Sequence, residues 1–297
     1  MILLLTTADT EVLAAARAVA GLPPGFPAVR AANPAGEPDH AGFCERHLPG
    51  AKVVLVRLLG GRRAWPAGFD LLRGRCAEAG VPLLAFGGES EPDPELAESS
   101  TAPAGVVAEA FEYLRHGGVE NTTNLFRFVA DTLLYTGFGF EPPAVLPGHG
   151  LYRPELAAGR VQDRPTVGVV FYRAHWMSGN TGFVDTLVGA LDAAGANPLP
   201  VFCATLRPEA DGRVPAAELL AEHGVDALVV TVLAAGGSNA ADAMAGSDPE
   251  GWASWQVPAL DALDVPVVQG ICVTTSRAAW AAADGGLSPL DAAMQVA

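Results

Sequence analysis

The chain has 297 residues, half of them apolar and only 17% charged, so it can build a large core and does not read as disordered. Its formal net charge of −15 argues against nonspecific binding to nucleic acid or anionic membranes. The charge is uneven: residues 1–80 hold nine basic and seven acidic side chains, and the remainder holds nine basic and 26 acidic, so an anionic ligand is better tolerated by the first part.

The length predicts about two domains. Ile2–Thr7 reads as a buried strand, too short and without the basic flank of a signal peptide. Thr10 is placed to cap a helix over Glu11–Ala20, which Gly21 and Pro23 stop. Leu22–Glu37 is expected to be loop. A short helix over Asp39–Leu48 leads to a second strand, Lys52–Leu59, which ends in Gly60-Gly61-Arg62-Arg63. A helix over Phe69–Ala79 and a third strand, Val81–Phe86, follow. Alternating apolar runs and helices predict a parallel sheet covered on both faces.

Ser90–Ser100 is acidic and proline-punctuated, and is expected at the surface. Ala104–Leu114 and Glu120–Tyr135 read as helices with an apolar stripe of Phe111, Leu114, Leu125, Phe128, Val129 and Leu133. Pro142, Pro143, Pro147 and Pro154 mark a linker. A second α/β pattern then begins, with strands at Thr166–Tyr172, Pro198–Phe202, Ala227–Leu233 and Pro266–Ile271. Helices are expected at Thr181–Ala194, Ala216–Glu222 and near Trp252–Leu263. The expected architecture is α/β: two doubly wound parallel-sheet domains of the Rossmann-like or flavodoxin-like kind, residues 1–100 and 161–297, joined by a helical segment and linker over 101–160. No apolar run approaches the roughly 20 residues of a membrane span. Cys44, Cys76, Cys203 and Cys272 form no CxxC pair, so reduced thiols and a cytoplasmic location are expected. Ser288-Pro289-Leu290-Asp291 reads as a helix start, yet the helix Leu290–Ala297 meets no stop signal, which reads as a chain cut inside a larger protein.

Ligands of open α/β sheets sit beyond the carboxyl ends of the strands, so four loops are candidate sites. In Tyr172–Asn180, Arg173 suits a carboxylate, His175 proton transfer or a metal, and Trp176 with Met177 a flat apolar ligand. The same loop suits a packed turn in which Asn180 caps the next helix. In Arg57–Arg63, the forks of Arg57, Arg62 and Arg63 suit a multiply anionic ligand, or else pair with acids of their own domain. Ala234–Asn239 offers backbone amides but lacks the Lys–Ser/Thr ending of a nucleotide phosphate loop. Thr274–Arg277 offers hydroxyls and Arg277 to a polar ligand, or caps a helix. His40, Cys44 and His47 share one helical face and form a weak metal constellation without a fourth ligand.

Five segments in order carry a resemblance: VVLVRLLGGRR at 53–63, YRAHWMSGNTGFVD at 172–185, PLPVFCATL at 198–206, DALVVTVLAAGG at 226–237 and VVQGICVTTSRAAW at 267–280. Together they resemble the large subunit of aerobic cobaltochelatase, a family that includes the large subunit of magnesium chelatase. The resemblance implies an amino-terminal region of a much longer, multi-subunit metal–nitrogen ligase. Such an enzyme inserts Co²⁺, as substrate metal, into the corrin-precursor tetrapyrrole hydrogenobyrinic acid a,c-diamide during cobalamin synthesis. It also implies that ATP and Mg²⁺ are used by separate AAA+ ATPase partner subunits, in keeping with the missing phosphate loop. A ring held by apolar faces and acidic side arms makes Arg57, Arg62, Arg63, Arg173, His175, Trp176, Asn180 and Arg277 the matching candidates, with His175 as the candidate proton acceptor. The alternatives are a noncatalytic small-molecule-binding or regulatory α/β module, and magnesium chelation within the same family.

Overall fold

The computed structural model describes residues 1–88, 91–209, 211–232, 258–270, 272–273 and 276–282. The chain forms two compact units, Met1–Leu146 with Met177–Asn180, and Pro147–Trp176 with Thr181–Ala297. Both are α/β, as the alternation of apolar runs and helices requires.

The first unit runs β1 (Ile2–Thr6), α1 (Asp9–Ala20), β2 (Val29–Ala32), α2 (His40–His47), β3 (Val53–Leu58), α3 (Pro66–Ala79), β4 (Leu83–Gly87), α4 (Pro94–Ser99), α5 (Ala104–His116) and α6 (Val119–Leu134). Its sheet has the order β2-β1-β3-β4, parallel throughout, with Ile2 opposite Val53 and Val54 opposite Leu83. Every residue of β1, β3 and β4 is buried, because helices cover both faces. On one face Leu3, Leu5, Val54, Val56 and Leu83 pack with Phe43, Phe69, Leu72 and Leu96 from α2, α3 and α4. On the other, Ile2, Leu4, Val53, Leu55, Leu84 and Phe86 pack with Phe111, Leu114, Leu125, Phe126 and Val129 from α5 and α6. A parallel sheet left bare on that face would expose its apolar side chains to water. This is why the segment set apart in the sequence as 101–160 is divided, its two helices closing the first core and its last residues entering the second unit.

The outer edge of β4 is blocked by side chains. Leu83 N–H donates to Thr101 Oγ1 and Ala85 N–H to Ser100 Oγ, both at 2.9 Å, which leaves those donors unavailable to another strand. Edge strand β2 falls where loop was expected, since VRAA between prolines and glycines carries almost no strand pattern.

The second unit runs β5 (His149–Leu151), α7 (Pro154–Ala158), β6 (Thr166–Tyr172), α8 (Arg173–Ser178), α9 (Gly182–Ala193), β7 (Asn197–Cys203), α10 (Pro215–Glu222), β8 (Ala227–Val230), α11 (Pro258–Asp261), β9 (Val267–Gln269) and α12 (Arg277–Ala282). Its sheet is β5-β7-β6-β8-β9, parallel except for β5, which pairs antiparallel with β7. The expected loop Ala234–Asn239, residues Thr274 and Thr275, the first half of the helix near Trp252–Leu263 and the terminal helix lie outside the described residues. Among the described residues no helix is long and apolar enough to cross a membrane.

Gly168, in the middle of β6, lets Leu220 and Leu228 approach within 2.7 and 2.6 Å of where a Cβ would stand. Both leucines are buried in one core cluster and have little room to retreat. Gly168→Ala should therefore destabilise the second unit by about 1–3 kcal/mol through overpacking. Urea unfolding checks this, and Leu220→Val in the same background should restore part of the loss.

Candidate functional site

Strand β6 ends at Tyr172 and the chain turns at once into α8, so the segment expected as an open loop is a helical turn that carries Arg173, His175 and Trp176. Gly179, at φ +67°, ends it in a conformation that side-chain-bearing residues rarely adopt.

The aromatic residues around this turn are ordered by the sheet. Phe171 of β6 stands opposite Phe202 of β7 in the strand register. Trp176 lies flat on Phe202, with centroids 4.2 Å apart and planes 7° from parallel. Tyr152 meets Phe171 edge-on at 5.6 Å. Phe183 of α9 meets Phe171 at 6.4 Å and His175 at 5.0 Å, again edge-on. The Tyr152 hydroxyl donates to Thr181 Oγ1 at 3.1 Å and lies 3.2 Å from Asp185 Oδ1, tying β5 to the start of α9. Arg173 Nε donates to the Pro147 carbonyl at 2.7 Å. The result is an aromatic shelf at the carboxyl ends of β6 and β7, with one imidazole and one guanidinium on the same helical turn.

Burial sets the electrostatics of that turn. Desolvation lowers the pKa of both His175 and Arg173, because each loses water that would hydrate its charged form. For His175 this means a neutral ring near pH 7, able to accept a proton.

The arginines at the end of β3 behave differently. Arg57 is 8% exposed. It pairs with Glu11 through Nη1, which also donates to the Leu114 carbonyl at 2.8 Å, while Nε and Nη2 donate to the carbonyls of Gly87 and Gly88 at 3.2 and 3.1 Å. Glu11 is held in turn by the Thr6 hydroxyl. Arg57 thus joins α1, β4 and α5 from inside, and the role of a ring-binding fork proposed from the sequence does not suit it. Arg62 is exposed and pairs with Asp70 and Glu95, and Arg63 donates to the Gly60 carbonyl, so both have partners in their own domain. Arg277 opens α12 and is exposed. Asn180 follows the turn, but Thr181 occupies the cap position of α9 and makes no side-chain cap bond.

His40, Cys44 and His47 do lie on one helix, but each is engaged in packing. His40 Nδ1 accepts from Trp65 Nε1 at 3.2 Å, Cys44 is buried, and the His47 ring packs at a tilt on Phe43, with centroids 4.4 Å apart. Among the described residues no group of three His, Cys, Asp or Glu side chains is arranged to hold a metal ion, which corrects the weak metal constellation. Burial pushes the Cys76 thiol up to about 11, with nearby Cys44 adding to the effect, and the Cys203 thiol up to about 12, so neither supplies a thiolate. Phe202, Phe183, Tyr152 and Glu11 carry no direct functional signal in the sequence. The one signal for Glu11 was indirect: an arginine inside an apolar strand requires a buried carboxylate.

Fold and site together define a pair of parallel-sheet α/β units with an aromatic, strand-end shelf and no nucleotide phosphate loop in the sequence. The CobN/Magnesium Chelatase family model matches residues 111–297, and the chain belongs to that family. It is 32% identical to the aerobic cobaltochelatase subunit CobN of Pseudomonas aeruginosa over the whole chain and 23% of that protein. It is 28% identical to a magnesium-chelatase subunit of Rhodobacter capsulatus over 63% of the chain and 16% of that protein. Among solved structures it resembles the catalytic subunit of cobaltochelatase from Mycobacterium tuberculosis, at 41% identity and a TM-score of 0.67, covering all of this chain and 23% of that one. The chain therefore spans about a quarter of the length of these cobaltochelatase relatives.

Two measurements check the geometry. Arg57→Ala strands the Glu11 carboxylate and three carbonyls and should cost about 2–4 kcal/mol in urea unfolding, whereas Arg62→Ala should leave the midpoint unchanged. His175 should titrate below 6.5 by NMR. The unfolded chain takes up its proton near 6.5 while the folded ring resists, so the His175 contribution to stability falls as pH drops through 6.5. It levels off once the folded ring is protonated, and His175→Phe should flatten that slope.

Proposed function

We propose that this chain forms part of the tetrapyrrole-holding region of the large subunit of an ATP-dependent cobaltochelatase, a metal–nitrogen ligase. That enzyme inserts Co²⁺ into hydrogenobyrinic acid a,c-diamide in aerobic cobalamin biosynthesis. The observation that carries this reading is the end-to-end similarity to cobaltochelatase subunits, against a shorter and weaker similarity to the magnesium-chelatase subunit.

The chemistry fits the shelf. A flat macrocycle needs an apolar surface, and the Trp176–Phe202 stack offers an indole held flat by a second ring. Metal insertion releases protons from ring nitrogens, and a histidine kept neutral by burial is suited to accept one. Arg173, on the same turn, is placed to meet a carboxylate side arm. Co²⁺ is the substrate metal, and ATP with Mg²⁺ belongs to AAA+ ATPase partner subunits, in keeping with a sequence without a Walker-type loop.

The test uses the full-length subunit with its ATPase partners. Trp176→Ala should weaken tetrapyrrole binding roughly tenfold, about 1.4 kcal/mol, in an absorbance titration. His175→Ala should lower turnover with little change in binding, and the 297-residue chain with the same partners should show no turnover. Unchanged binding in Trp176→Ala together with unchanged turnover in His175→Ala would leave a noncatalytic regulatory module as the better reading. Preferential insertion of Mg²⁺ would move the assignment to the other branch of the family.

A further inference from the structure

Strand β5 is three residues long, and its middle residue is a glycine. Glycine weakens the interior of a strand and often marks a close approach. Here the approach is by an aromatic ring. The antiparallel register sets Gly150 opposite Phe202 of β7. Two backbone bonds hold that register on either side, from Ala204 N–H to the Gly148 carbonyl and from Tyr152 N–H to the Pro200 carbonyl, both at 2.9 Å. A Cβ at Gly150 would stand 3.0 and 3.2 Å from Phe202 Cζ and Cε1. The outer end of the Phe202 ring therefore takes the space that a side chain on β5 would fill. With a Cβ at that distance, the ring has to give by a few tenths of an ångström.

The strand has no room to yield in place of the ring. On one face Leu151 packs into the core cluster of Leu199, Val201 and Cys203. On the other, Tyr152 meets Phe171 edge-on and its hydroxyl donates to Thr181 Oγ1. Phe202 is itself 3% exposed, and Trp176 lies flat on it. Trp176 is only partly buried, so it is the member of this group that can move. A push on the end of the Phe202 ring therefore reaches the indole, because close-packed side chains pass a displacement on rather than absorb it.

We propose that Gly150 is a positioning residue of the aromatic shelf: its missing side chain lets Phe202 lie flat against Trp176, and so sets the plane that the indole offers to a macrocycle. Gly150 touches no ligand in this role and acts through Phe202. The functional half rests on the tetrapyrrole reading above, whereas the geometric half stands apart from it. A flat ring stacks best on a surface of fixed tilt, so the effect falls on affinity rather than on proton transfer or metal entry. Gly148 supplies the control, since a Cβ there meets nothing within 4 Å.

Two measurements test this. In proton NMR of the 297-residue chain, the Trp176 indole resonances, assigned by their loss in Trp176→Phe, carry the ring-current shift of Phe202. Gly150→Ala should move them toward their positions in Phe202→Leu, while Gly148→Ala leaves them in place. In the full-length subunit with its ATPase partners, Gly150→Ala should weaken tetrapyrrole binding about three- to tenfold, the worth of one aromatic pair, with turnover at saturating tetrapyrrole within about twofold. In a Trp176→Ala background the same change should weaken binding no further, because both act through one indole. If Gly150→Ala does not fold, adding Phe202→Leu should restore folding by vacating the end of the ring, and an unfolded double variant sinks the proposal. Unmoved indole resonances in Gly150→Ala would overturn it, as would losses of binding that add in the double variant. Unchanged binding in Trp176→Ala counts against the tetrapyrrole reading instead, and the NMR shift then decides on Gly150 alone.

Discussion

A strand covered on both faces has no room for an unpaired charge, and Arg57 is such a charge. It lies inside β3 among valines and leucines, and its guanidinium is met by Glu11 from α1, by the carbonyls of Gly87 and Gly88 at the end of β4 and by the Leu114 carbonyl near the end of α5. Those partners come from helix and strand ends that the apolar core alone would not align. Hydrophobic burial packs the layers, and this network sets where they stop. It also fills the end of the sheet between β1 and β3, the order reversal at which doubly wound folds commonly seat a ligand. In this unit an ion pair and its carbonyl partners occupy that position.

Continuous apolar runs are legible in the sequence, and little else of the sheets is. Strands β1, β3 and β4 are visible because both faces of a parallel sheet are buried and every position is apolar. Strands β2 and β5 are not, because VRAA and HGL are short edge segments whose strand character comes from a neighbour. The helical turn at 173–178 reads as loop although Gly179 gives a stop signal, since six residues carry too little periodicity. Asn121 and Asn124 look like solvent-facing breaks in an apolar stripe. Their partners lie 23 and 17 positions downstream in an extended segment, and no local pattern points there.

The candidate site divides along the same line. Tyr172–Asn180 is identifiable as chemistry because it follows a strong strand and concentrates rare residue types. That Trp176 lies on Phe202 depends on the register of β6 against β7, which pairs Phe171 with Phe202 and is a tertiary property. The arginines mislead for a physical reason. A guanidinium suits an internal carboxylate as well as a ligand carboxylate, and side-chain type does not distinguish the two.

The same point bears on how this chain would hold an anionic ring. Several of its arginines already have acidic partners: Arg46 with Glu37, Arg57 with Glu11, Arg62 with Asp70 and Glu95, Arg115 with Glu112, Arg153 with Glu155, Arg164 with Asp192 and Arg213 with Glu218. Residues 147–297 hold seven basic and 16 acidic side chains, so an anionic ligand approaching the second unit meets repulsion unless cations lie close to it. In the proposed role, the contribution of this chain is therefore apolar stacking on the Trp176 shelf with one guanidinium, Arg173, beside it. A stacking surface backed by Phe202 and Phe171 is rigid, and rigidity is what a site needs if it is to hold a macrocycle flat while a metal enters its centre.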